Sequence, residues 1–76
     1  MSTADRLVYM ANQIARELGS QRPDGAVTAT RDHLRDFWDP RMRQAIVAYL
    51  DSGGEHLSDI ARGAVALLRE TAERAD

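Results

Sequence analysis

Pro40 constrains this chain more than any other residue. It cannot continue a helix, and it forces the residue before it out of the α region. It stands in the segment HLRDFWDPRMR, His33 to Arg43, between two stretches of helical periodicity. Asp39-Pro40 therefore closes one helix and opens the next, with proline at N1, where its missing N–H costs nothing. Helical spacing recurs along the chain and no β-type alternation persists. The expected fold is all-α: one domain over residues 1–76, a bundle of about four short helices spanning roughly 3–18, 25–38, 40–51 and 59–74.

Each helix carries an apolar stripe. In the first, Leu7, Met10, Ala11, Ile14 and Leu18 align, with Val8 and Ala15 widening the arc, and Gly19 is a natural C′ terminator. Arg6, Tyr9, Asn12, Gln13 and Arg16 point the other way. Asp24 is placed to cap the second helix, whose inner face reads Val27, Thr30, Leu34, Phe37 and Trp38. Met42, Ile46, Tyr49 and Leu50 form the third stripe, ended by Ser52-Gly53-Gly54. Ser58 caps the last helix, and Asp59 meets its positive end. That helix shows two apolar faces, Ile60-Ala64-Leu67-Thr71 and Ala61-Val65-Leu68-Ala72, about 100° apart. The second face, with Val65 and Leu68, is surplus to a small bundle and is a candidate partner surface.

A chain of 76 residues is marginal by itself, since it buries only about 60% of the surface it exposes when unfolded. It has no cysteine, which excludes disulfide staples and thiolate metal sites, so packing against another chain is the open route to extra stability. All ten cations are arginine, a bias that a high-GC genome suffices to explain, although arginine also suits bidentate interface contacts. The net charge of −2 disfavours nucleic acid. No apolar run approaches the roughly 20 residues needed to cross a bilayer, and MSTADRLVYM does not read as a signal peptide, so the cytoplasm is the default address.

The His33–Arg43 corner collects two rings and three arginines, Arg35, Arg41 and Arg43. Phe37 and Trp38 diverge by about 100° around a helix. Either both are core, or one packs inside while the other anchors a partner. Arg43 falls within an apolar arc and must pair or snorkel. Its partner is Asp36 or Asp39 internally, or a carboxylate or carbonyl on another chain. Arg41 points to solvent. Tyr9, with Asn12, Gln13 and Arg16, forms either an ordinary wet surface or an interaction patch. His33 lies between Asp32 and Asp36, but the carboxylates project to the solvent side and do not converge with it on a metal. His56 sits in a glycine-bearing loop. No serine or threonine has a nucleophile-elbow setting, and the glycines lack phosphate-binding spacing. A pocket of about 300–1,000 Å³ is a demanding volume for so short a chain.

Three blocks, LVYMANQIA (Leu7 to Ala15), DHLRDFWDPRMR (Asp32 to Arg43) and LDSGGEHLS (Leu50 to Ser58), resemble the delta subunit of soluble NAD-dependent formate dehydrogenases in order and spacing. The FWDPRMR string is the specific part, and the resemblance covers most of the chain. Many relatives place proline after the serine that matches Ser58, where this chain has Asp59, a departure that alters how the last helix starts. The resemblance implies a small accessory subunit of a cytoplasmic complex, acting in assembly, stability or cofactor maturation of the catalytic subunit and performing no chemistry itself. In that family the large alpha subunit holds a molybdenum or tungsten bis-pterin cofactor and iron–sulfur clusters. Beta and gamma pass electrons to NAD through FMN. The delta subunit carries no cofactor, metal or catalytic residue.

The expected partner is accordingly the alpha subunit, with beta and gamma in the complex and neither nucleic acid nor membrane. The residues offered for partner binding are Tyr9, Arg35, Phe37, Trp38, Arg41, Arg43, Val65 and Leu68. The alternative is a small DNA-binding or regulatory module of helix-turn-helix type, which four short helices could hold. Asp32 and Asp36 on the solvent side of the second helix weigh against it, because phosphates would be repelled there.

Overall fold

Ser2 starts the first helix, α1 (Thr3–Gln21), through a reciprocal capping box. The Asp5 amide donates to Ser2 Oγ at 3.1 Å, and the Ser2 amide donates to the Asp5 carboxylate at 3.4 Å. The computed structural model describes residues 2–74, with side chains through Thr71. It is all-α over these residues, with α2 (Ala26–Phe37), α3 (Pro40–Asp51) and α4 (Asp59–Arg74) following α1. No described helix is long and apolar enough to cross a membrane.

Two boundaries differ from expectation for physical reasons. Gly19 does not end α1. It lies inside the helix, where an added Cβ would stand 3.0 Å from Ile60 Cδ1, so this glycine serves close packing on α4. The helix instead stops at Arg22, kept out of the α region by the proline that follows it (φ −138°, ψ 72°). Asp24 does not cap α2. Pro23–Gly25 forms a 3₁₀ turn with Asp24 inside it, and Gly25 occupies the cap position with no side-chain bond.

The Asp39-Pro40 break behaves as read. Trp38 leaves the helix in extended conformation (φ −87°, ψ 141°), and Asp39 accepts the Met42 amide at 2.9 Å with Pro40 at the start of α3. The far end of α3 closes as a Schellman motif: the Gly54 amide donates to Tyr49 O and the Gly53 amide to Leu50 O. Gly53 (φ 130°) and Gly54 (φ 63°) supply the left-handed backbone this needs. Ser58 caps α4, its Oγ accepting the Ala61 amide at 3.2 Å.

The core lies where α1, α2 and α4 meet. It is built from Leu7, Val8, Ala11 and Ala15 of α1, Leu34 of α2, Ala61, Val65 and Leu68 of α4, with Trp38, Ile46 and Leu57 closing it. The inward arc of α1 is thus turned toward Val8 and Ala15, while Met10 and Ile14 are only partly buried. Val65 and Leu68 correct the surplus-face expectation, since both are buried. Helix α4 sits centrally and packs against the other three helices, and Ala61, Ala64, Val65 and Leu68 are buried there.

Candidate docking site

The α2–α3 junction divides its two rings. Trp38 is 5% exposed and belongs to the core, whereas Phe37 is 74% exposed. Trp38 is therefore corrected from a partner contact to a core residue, and Phe37 from the inner face of α2 to its surface. Adjacent residues point in different directions, so the larger ring can turn inward at the helix end while its neighbour faces water. His33 accompanies Phe37 outside, with ring centroids 4.7 Å apart and planes tilted by 35°. Among the described residues no group of three His, Asp or Glu side chains is placed to share a metal ion.

Arg43 settles on neither Asp36 nor Asp39. Its guanidinium donates to Arg35 O at 3.3 Å and to Trp38 O. These carbonyls belong to the end of α2, which lacks intrahelical partners and carries the negative end of the helix dipole. The internal-carboxylate expectation for Arg43 is thus replaced by a cation capping a helix C-terminus within its own chain. Asp39 is already occupied as the α3 cap.

The outer face of α2 is a ladder of local ion pairs. Arg31 Nε meets Asp32 at 2.7 Å, Arg35 reaches Asp32 at 3.4 Å, and Arg35 Nε donates to Asp36 at 2.9 Å. That last hydrogen bond holds the Asp36 carboxyl below the usual carboxylate range and pushes the Arg35 guanidinium up. Arg41 is exposed and makes no ion pair among the described residues.

Tyr9 is 58% exposed and accepts a hydrogen bond from Gln13 Nε2 at 3.3 Å. Asn12 leaves that face. Its Nδ2 donates to His56 O at 2.8 Å and its Oδ1 accepts the Ser58 amide at 2.9 Å, pinning the α3–α4 loop to α1. Two further clamps were not apparent from periodicity. Arg62 donates to Gly53 O at 3.2 Å and Gly54 O at 2.7 Å, and Tyr49 Oη donates to Glu55 O at 2.9 Å. The available signal was the asparagine in MANQIA and an arginine eight residues after the double glycine.

Between α3, α4 and the end of α2 lies an open groove of about 390 Å³. Pro40, Val47 and Leu68 supply its apolar surface, and Arg35, Arg43 and Gln44 its polar edge. Leu68, though 4% exposed, thus closes the core from below while touching the groove from inside.

These features define the class: an all-α protein whose exposed aromatic and arginine-edged groove stand at one helix junction. The model of the NADH-dependent formate dehydrogenase delta subunit family, FdsD, matches residues 6–65, and the chain belongs to that family. It is by that membership a subunit of a formate dehydrogenase, with complex partners. No curated protein and no solved structure matches the chain. The helix-turn-helix alternative gains no support: the outer face of α2 holds carboxylates already paired with arginines.

Proposed function

We propose that this chain is a non-catalytic accessory subunit of a cytoplasmic, NAD-dependent, molybdenum- or tungsten-containing formate dehydrogenase. It acts in assembly, stability or cofactor maturation of the catalytic alpha subunit. The observation that carries this reading is the family match over residues 6–65. The chemistry of the donor set agrees with it: without cysteine, the chain offers no thiolate for an iron–sulfur cluster or for molybdenum. In this reading the bis-pterin cofactor, iron–sulfur clusters, FMN and NAD are held by the alpha, beta and gamma subunits, and delta contributes surface.

Phe37 is the side chain best suited to anchor such a contact. A large ring left in water beside a helix end gains from being desolvated by a partner. Arg41, which makes no ion pair among the described residues, stands four residues along the chain on α3. Producing the enzyme with and without this chain, then measuring formate oxidation and metal content of the alpha subunit, tests the function. Loss of both without the chain is expected. A fully loaded, fully active enzyme made in its absence would end the proposal.

A further inference from the structure

The groove between α3, α4 and the end of α2 differs from the Phe37 surface in one respect: Arg43 on its edge has no carboxylate partner among the described residues. Arg35 and Arg43 edge it, and no carboxylate among the described residues lines it. The nearby carboxylates are committed elsewhere. Asp32 and Asp36 pair with Arg35 and so balance that edge arginine, Asp39 accepts the Met42 amide, and Asp51 pairs with Arg69. Arg43 donates to neutral carbonyls, so its positive charge meets no carboxylate within the described residues. The walls below it, Pro40, Val47 and Leu68, are apolar. A volume of about 390 Å³ takes a few side chains and is too open to enclose a small molecule.

We propose that this groove receives a segment of a partner subunit that places an Asp or Glu carboxylate beside an apolar side chain. The apolar group rests on Pro40 and Val47, and the carboxylate lies against Arg43. This rests on the reading of the chain as an accessory subunit that docks within the formate dehydrogenase complex. Charge complementarity argues for that occupant over a second copy of this chain, because two such grooves face to face would oppose arginine to arginine.

Gln44 provides the test, since it is exposed on α3 at the groove edge and makes no side-chain hydrogen bond among the described residues. Tagged full-length chain carrying Gln44→Glu or Gln44→Arg is produced together with the other formate dehydrogenase subunits, and the captured complex is quantified at low and high salt. Gln44→Glu should cut capture about tenfold, as like charge against an acidic partner predicts. Gln44→Arg should hold or raise capture, and the difference should shrink at high salt while both variants melt with wild type. Equal capture by both variants beside normal wild-type capture overturns the groove and leaves the accessory reading standing. No capture by wild type overturns both. A wild-type chain that dimerises, with Gln44→Glu breaking or strengthening the dimer, assigns the groove to a second copy and overturns the partner assignment.

Discussion

Where α1, α2 and α4 meet, Ala11, Ala15, Leu34, Ala61, Ala64 and Val65 are sealed from water, whereas α3 contributes only Ile46 to the buried set. The first region closes on small residues that let backbones approach: a Cβ on Gly63 would stand 3.2 Å from Val27 Cγ1. The α3 corner is tied by side chains to backbone instead. Arg43 holds the end of α2, Arg62 the double glycine, and Asn12 and Tyr49 the α3–α4 loop. Apolar burial is non-directional and tolerates sliding; a hydrogen bond fixes one distance and one angle. The difference teaches that a thin domain can position a corner accurately without thickening its core there. It also puts both candidate contact features, Phe37 and the groove, at the region held by polar clamps.

The comparison breaks most readily at Trp38, the apolar residue that reaches from the junction into the core. Trp38→Ala should cost about 3–5 kcal/mol in urea unfolding, a large share of a small domain's total stability. An unchanged midpoint would remove Trp38 from the core. Asn12→Ala, which deletes both loop contacts, should cost about 1–3 kcal/mol. Asn12→Asp retains the acceptor for the Ser58 amide but not the donor to His56 O, so its midpoint should fall between wild type and Asn12→Ala. If Asn12→Ala unfolds at the wild-type midpoint, the loop is held by packing and the contrast between regions fails.

Thr30 sharpens the other side of the comparison. Its side chain is fully buried in the apolar region, and Oγ1 has no hydrogen-bond partner among the described residues. Thr30→Val keeps the shape and removes the orphaned hydroxyl, so thermal unfolding should show a gain of about 1 kcal/mol. A loss would mean that the hydroxyl is satisfied in solution. The smallest effect belongs to Asp36. Its carboxyl is held below the ordinary range by Arg35, so the pair stabilises the fold above the unfolded-state value of about 3.9. That contribution disappears as pH falls through the lowered folded value. Asp36→Asn should therefore melt slightly below wild type at neutral pH and converge with it in acid, the gap being small because exposed pairs contribute little.

Local rules made much of the fold legible. Capping residues, the Asp39-Pro40 break and the Ser52-Gly53-Gly54 stop place the ends of α3 and the start of α4 where the structure has them, because each acts within a few residues of itself. Gly19 misled for the same reason. Glycine ends helices often enough to read as a terminator, but here the demand for a missing Cβ comes from Ile60, 41 positions away. At the candidate site, periodicity gave the angle between Phe37 and Trp38 without saying which ring would turn inward. It marked Arg43 as needing a partner, and the partner proved to be backbone, a group that every residue carries and no sequence pattern advertises. Tyr9 and Arg41 were read as outward-facing and are exposed.

The amino-acid order by itself determined four helices, their main breaks and the family, since each depends on short-range spacing or on strings such as FWDPRMR. Tertiary structure alone decided that Val65 and Leu68 go inside, that Asn12 leaves the wet face to grip a loop, and that an arginine-edged groove opens beside α3. The physical reason is that a helix specifies the direction of every side chain relative to its own axis. Only the neighbours it packs against determine whether that direction leads to water, to a carbonyl or into the core.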